Sequence, residues 1–139
     1  MNISNECTYF NLDSMQKMEA IKLAGEKLLE NGFIEEAYIQ SMLDKEKTDL
    51  TYIGNGIAIP HGLNDAKQYV KKSGIVLLHF PKGIDYDENK VFLMIGIAGK
   101  DDDHLEILQD IAIKLSEMDF VNSLLSSETK EEFITLFNS

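Results

Sequence analysis

Apolar positions recur along this chain in two rhythms. From Met15 to Leu29 they fall at helical spacing, with Met15, Met18, Ile21, Leu23, Ala24, Leu28 and Leu29 on one broad face. Asp13 with Gln16 three residues on has the form of a capping box, and Asn31-Gly32 that of a left-handed stop, so a helix is predicted to about Glu30. A second helix, Glu35–Lys47, starts on acidic residues and turns Ala37, Ile39, Met42 and Leu43 inward. The other rhythm is unbroken: Gly74–Phe80 and Val91–Ala98 are continuous apolar runs, as in strands covered on both faces. Between them, Pro81-Lys82-Gly83 and Asp85–Asn89 read as a turn and an acidic loop. Leu105, Leu108, Ile111, Ala112 and Leu115 predict a helix from Asp103 to about Met118, facing the sheet, with shorter helices at Asp119–Leu125 and Thr129–Phe137. Met1–Asn11 reads as an extended arm with an edge strand at Thr8–Leu12. Asn64–Lys71 reads as a short helix or turn carrying Ala66, Tyr69 and Val70 inward. Helices at both ends around central apolar strands define an α/β fold, a central mixed β-sheet flanked by helices on both faces. At 139 residues the chain is expected to form one domain.

Composition narrows the function classes. The apolar share of 44% is that of a globular chain, and the formal charge of −11 argues against nucleic acid, whose phosphates need a basic footprint. It also disfavours an anionic membrane surface and suits a basic protein partner. Cys7 is the only cysteine, so no intrachain disulfide is available and a reducing compartment is expected. No cationic start or apolar leader precedes it, and the apolar runs are too short to cross a bilayer. A cytoplasmic protein without direct membrane insertion is the expectation.

The stretch Tyr52-Ile53-Gly54-Asn55-Gly56-Ile57-Ala58-Ile59-Pro60-His61-Gly62 organises the rest. Gly54 and Gly56 supply the φ freedom of a tight turn, and Ile57-Ala58-Ile59 follows as a short buried strand. Pro60 stops the strand, leaving His61 held at its end, with Gly62 leaving the ring uncrowded. A second histidine stands in Lys100-Asp101-Asp102-Asp103-His104-Leu105-Glu106, where an apolar strand gives way to a helix. Asp103 reads as the N-cap and Glu106 as the closing residue of the box, so His104 lies in the first turn. Free N–H groups and the positive dipole end favour an anion there and a neutral imidazole. If the two strands run parallel, both histidines share the crevice at their carboxyl ends. His79, within an apolar strand, reads as a hydrogen-bonded core histidine.

Several chemistries compete for this pair. His61, His104 and Asp101–Asp103 offer metal ligands, but their spacing matches no metal signature, and no metal or other cofactor is expected. A serine hydrolase would need a nucleophile elbow, and no Gly-x-Ser-x-Gly is present. Gly54-Asn55-Gly56 lacks the glycine fingerprint and lysine of a phosphate-cradling loop. Histidine as phosphoryl acceptor remains: a neutral imidazole nitrogen is nucleophilic near pH 7, and transfer needs in-line positioning and charge stabilisation.

Three blocks then carry a family resemblance: Met42-Leu43-Asp44-Lys45-Glu46-Lys47, Thr51 to Gly62, and Gly96-Ile97-Ala98-Gly99-Lys100 with His104-Leu105-Glu106-Ile107-Leu108. In that order and spacing, from about Leu12 to Phe137, the chain resembles the mannitol-type IIA component of the bacterial phosphoenolpyruvate:sugar phosphotransferase system. Ile-Pro-His-Gly alone fits the wider mannitol/fructose/nitrogen-regulatory superfamily; the Met42–Lys47 block and Lys71-Lys72-Ser73-Gly74 narrow it to the mannitol branch. The resemblance implies a single EIIA domain over residues 1–139 and a phosphotransferase with a phosphohistidine intermediate. His61 would accept the phosphoryl group from the carrier HPr through Nε2, its other nitrogen held by a backbone carbonyl. It would pass the group to a cysteine of the IIB domain of the mannitol transporter (IIBC). His104 would hydrogen-bond the phosphoryl oxygens, and Lys45 would stabilise charge where the family commonly has arginine, whose bidentate geometry lysine lacks. The alternative is a regulatory IIA-like protein of the fructose/nitrogen type, whose phosphorylation state controls binding to another protein.

Overall fold

The elements of the computed structural model, which describes residues 2–139, follow in the order β1 (Thr8–Tyr9), α1 (Lys17–Glu30), α2 (Ala37–Thr48), β2 (Tyr52–Gly54), β3 (Ile57–Ala58), β4 (Gly74–Tyr86), β5 (Asn89–Ala98), α3 (Asp103–Lys114), α4 (Met118–Leu125) and α5 (Lys130–Phe137). A 3-10 helix spans Asn64–Tyr69. The strands form one mixed five-stranded sheet in the order β1-β4-β5-β3-β2. The β4–β5 hairpin is its antiparallel spine, with Val76 opposite Gly96 and Leu78 opposite Met94. β3 runs parallel to β5, with Ala58 opposite Met94. The carboxyl ends of β3 and β5 therefore emerge on the same side of the sheet.

Side-chain alternation along β4 assigns the layers. Val76 and Gly96 meet α1, where an added methyl on Gly96 would press on Ala24. His79 points the other way, 5.5 Å from the Phe133 ring of α5. Helices thus cover both faces, as expected. The spine residues Val76, Leu77, Leu78, Phe80, Leu93, Met94, Ile95 and Ile97 are fully buried. Sealing apolar side chains from water in this way contributes about 1.5–3 kcal/mol for each large residue. Among the described residues no helix is long and apolar enough to cross a membrane.

Several boundaries differ from the sequence reading, each for a local reason. Pro81-Lys82-Gly83 is not the turn of the hairpin. The strand runs on to Tyr86, and these residues fill a register shift between His79 and Ile84, where a residue without an N–H donor costs no ladder bond. Gly83 takes φ +76° there, and Ser14 Oγ donates to its carbonyl at 2.6 Å. The chain reverses instead near Asp87, at φ 60°. Asp13 does not cap α1: the N-cap is Gln16, with no side-chain bond. At the other end Gly32 closes the helix as expected. Its N–H donates to the Leu29 carbonyl and the Phe33 N–H to that of Leu28, the paired bonds of a Schellman stop.

α2 is rotated relative to expectation. Tyr38, Ser41, Met42 and Glu46 are its buried positions, while Ala37 is exposed and Ile39 and Leu43 are only half-buried. α3 ends at Lys114 and not near Met118; Ser116 Oγ donates back to the Ile113 carbonyl at 2.9 Å, competing with the helical bonding. Its buried residues are Ile107 and Ile111, with Leu115 buried just beyond. Leu105 and Ala112, expected inside, are exposed.

Candidate functional site

β3 ends as Pro60 breaks the ladder, but the chain keeps its parallel course for one more step. Ile97 donates its N–H to the Pro60 carbonyl at 3.1 Å, and His61 forms an isolated bridge with Ile97. The turn before β3 uses three left-handed residues, Gly54, Asn55 and Gly56, at φ 94°, 54° and 79°. His61 folds back on its own strand: Nδ1 lies 2.8 Å from the Ile59 carbonyl. A carbonyl only accepts, so Nδ1 carries the hydrogen and Nε2 keeps the free lone pair.

Gly62 has a reason beyond leaving His61 uncrowded. A methyl group there would lie 2.6 Å from the Tyr38 ring. The Gly62 N–H donates to the Tyr38 hydroxyl at 2.8 Å, and that hydroxyl donates to the Ile97 carbonyl at 3.0 Å. Ser41 Oγ accepts the Leu63 N–H at 2.7 Å. The face of α2 that carries Tyr38 and Ser41 thus clamps the segment after the histidine.

His104 arrives from β5. The loop turns through Asp101 at φ 55°, and α3 begins at Asp103 with Asp102 as N-cap, making no side-chain bond. Asp103, expected to cap, uses its carboxylate differently: Ser73 Oγ donates to it at 2.6 Å and accepts the Lys100 N–H at 2.9 Å. Ser73 thereby ties the entry of β4 to the entry of α3. Gly99 permits the close return, since a Cβ there would collide with the His104 backbone.

The two imidazoles meet. Their centroids lie 4.9 Å apart at an interplanar angle of 56°, as the parallel arrangement of β3 and β5 requires. Burial lowers the pKa of His61, partly countered by its bond to Ile59, and Lys45 lowers it further. Burial also depresses His104, together with the positive charge of His61, Lys67 and Lys45, to about 4. Both rings are therefore neutral near pH 7, with nitrogen lone pairs and N–H donors available together. Lys45, in the last turn of α2, is bonded to Asp49 at 3.0 Å. Its charge nonetheless acts on both rings.

His61 and His104, named from the sequence, thus meet, while Lys45, also named from it, acts on the pair through its charge and is bonded to Asp49. Among the described residues no group of three or more His, Cys, Asp or Glu side chains is placed to hold a metal, so Asp101–Asp103 do not gather around the histidines. Tyr38, Ser41, Ser73 and Lys67 were not legible as site residues. The signal for the first two lay in the spacing Tyr38, Ser41, Met42, Lys45, a single helical stripe that leads to the lysine.

Comparison with known proteins gives consistent matches. The family described as "Phosphoenolpyruvate-dependent sugar phosphotransferase system, EIIA 2" matches residues 1–139. The mannitol-specific phosphotransferase enzyme IIA component of Geobacillus stearothermophilus is 50% identical over 123 residues, covering 88% of this chain and 85% of that protein. Its Bacillus subtilis counterpart is 43% identical over 137 residues, covering 98% and 96%. Among solved structures, IIA mannitol from Escherichia coli superposes with a TM-score of 0.90 at 31% identity, covering 99% of each chain. The same component in complex with phosphorylated enzyme IIB mannitol gives 0.91 at 32% identity, covering 98% and 96%.

Proposed function

The chain belongs to the phosphoenolpyruvate-dependent sugar phosphotransferase system EIIA 2 family, and from that membership we propose that His61 is the residue that carries the phosphoryl group. The reading takes residues 1–139 as one EIIA domain of mannitol type, in keeping with relatives at 50% and 43% identity. The observation that carries it is the pairing of His61 and His104 at 4.9 Å, with His61 Nδ1 committed to Ile59 and Nε2 left free.

Transfer then runs as two in-line displacements. Nε2 attacks the phosphorus of the phosphohistidine on a carrier protein of the HPr kind; the carrier's N–P bond breaks as the new one forms. A cysteine thiolate of the IIB component next attacks the same phosphorus; the S–P bond forms as the Nε2–P bond breaks, its electron pair returns to Nε2, and neutral His61 is regenerated. His104, neutral, donates an N–H to the phosphoryl oxygens, and Lys45 adds charge. Loose phosphoryl transfer asks for positioning and charge and little else. The E. coli relative in complex with phosphorylated IIB mannitol supports IIB as a partner. Leu105, 66% exposed beside His104, and Leu50 and Ile53 on the approach to His61 supply apolar docking area within an acidic surface.

The test is incubation with phosphoenolpyruvate, enzyme I and HPr. One phosphoryl group is expected, acid-labile and base-stable, absent in His61→Ala and passed on to IIB mannitol. Absence of labelling in the parent chain, or retained labelling in the variant, overturns the assignment.

A further inference from the structure

Glu46 is the one buried carboxylate among the described residues, and the conclusion that His61 accepts phosphate through Nε2 gives it a task. Its side chain is 1% exposed. Oε1 accepts from Thr51 Oγ1 at 2.6 Å and from the Tyr86 hydroxyl at 3.0 Å. Oε2 faces the Thr51 N–H at 3.4 Å and pairs with Lys17 at 3.1 Å. A carboxylate this deep persists only when its oxygens are satisfied and its charge is matched. Lys17 matches it, and Tyr86, wholly buried in the hairpin end, completes the cage.

The backbone continues from that cage to the histidine in three short links. Thr51, held by Glu46, accepts the Ile59 N–H on its carbonyl at 3.0 Å. Ile59 in turn presents its own carbonyl to His61 Nδ1 at 2.8 Å. Between them Tyr52 pairs with Ala58, fixing the register of β2 against β3. Glu46 also follows Lys45 directly on the last turn of α2, so locking one side chain fixes where the helix delivers the other.

We propose that Glu46 is a positioning residue for phosphoryl transfer: through Thr51 and Ile59 it holds the carbonyl that keeps His61 in the Nδ1–H tautomer, with Nε2 aimed outward. Partners one step removed from a working imidazole have measurable leverage on it, as the outer partners of metal-bound histidines show. Here the lever is a carboxylate acting through a strand register.

Two variants test this, Glu46→Gln and Thr51→Val, each first checked for fold by circular dichroism and assayed well below its melting temperature. The primary readout is the ¹⁵N chemical shifts of the His61 ring in the unphosphorylated protein, which report the tautomer whether or not His61 is the acceptor. In the parent, Nδ1 should read as protonated and Nε2 as bare. Both variants should show a mixed or exchange-averaged ring and a phosphorylation rate reduced about tenfold at saturating HPr, with the half-saturating HPr concentration unchanged. A pure Nδ1–H tautomer and parental rates in a folded variant, with only the melting temperature lowered, overturn the proposal. If Glu46→Gln does not fold, Thr51→Val alone decides. If the tautomer shifts while no phosphoryl group is ever accepted, the positioning role stands and the acceptor assignment falls.

Discussion

The Tyr38 hydroxyl accepts the Gly62 N–H at 2.8 Å while donating to the Ile97 carbonyl at 3.0 Å. One phenol thereby bridges the residue after His61 and the strand that leads to His104. The ring is 3% exposed, so no water replaces it. Tyr38→Phe keeps the packing but strands a buried N–H and loosens the Pro60-His61-Gly62 segment. We expect a stability loss of about 1–3 kcal/mol from the unpaired group, read as a lower urea midpoint at unchanged slope, and slower phosphorylation. An unshifted midpoint would show that the bridge contributes nothing.

His104 holds its pKa near 4 because burial and the charges of His61, Lys67 and Lys45 all oppose protonation. The folded value lies below the ordinary 6.5, so the unfolded chain binds the proton more readily. Stability contributed by neutral His104 is intact above 6.5 and is lost as pH falls toward about 4. In an NMR titration the ring should remain neutral from pH 8 to pH 5. His104→Ala should slow onward transfer about 10²-fold, the scale of one lost transition-state donor, and His104→Gln should recover part of it. Titration near 6.5, or unchanged kinetics in the alanine variant, would remove His104 from the site.

Lys45 lowers the pKa of both histidines, although its ammonium is paired with Asp49. Lys45→Met should therefore raise both values while slowing transfer. Lys45→Arg should at least retain the parental rate, since guanidinium adds bidentate geometry toward phosphoryl oxygens. Asp49→Asn, which frees the ammonium, should strengthen its effect. Histidine titrations that do not move in Lys45→Met would leave Lys45 a partner of Asp49 alone.

The pair of histidines was legible because each announces itself locally. Pro60 and Gly62 bracket one, and a strand-to-helix junction carries the other. Continuous apolar runs likewise disclosed β4 and β5, since their residues are buried whichever face they turn to. What stayed hidden depends on long-range pairing. Pro81 and Gly83 have turn composition, yet a register shift absorbs them within the hairpin. Asp103 has cap composition, yet Ser73, thirty residues earlier, takes its carboxylate. Tyr38 and Glu46 are not among the inward positions that helical spacing picks out in this stretch. They lie inside because their polar ends find partners on strands that local periodicity does not reveal.

His79 yields a pH prediction independent of the transfer site. Its Nδ1 accepts the Asn11 N–H at 3.1 Å, so the neutral ring carries its hydrogen on Nε2. It stacks on Phe10 with centroids 4.5 Å apart and is 2% exposed. Protonation would set an N–H against the Asn11 N–H inside the core, and burial lowers the pKa accordingly. The fold therefore favours the neutral form. Stability should be complete above pH 6.5 and decline below it, with a slope of up to about 1.4 kcal/mol per pH unit for each histidine held neutral. His79→Leu leaves the Asn11 N–H unpaired and should be less stable than the parent at pH 7.5. It should also lose less on going to pH 5, because one titrating group is gone. Urea midpoints at the two pH values check this, with His61 and His104 present in both proteins so that their contributions cancel. Parallel decline in the two proteins would mean that the buried ring at position 79 takes no part in acid sensitivity.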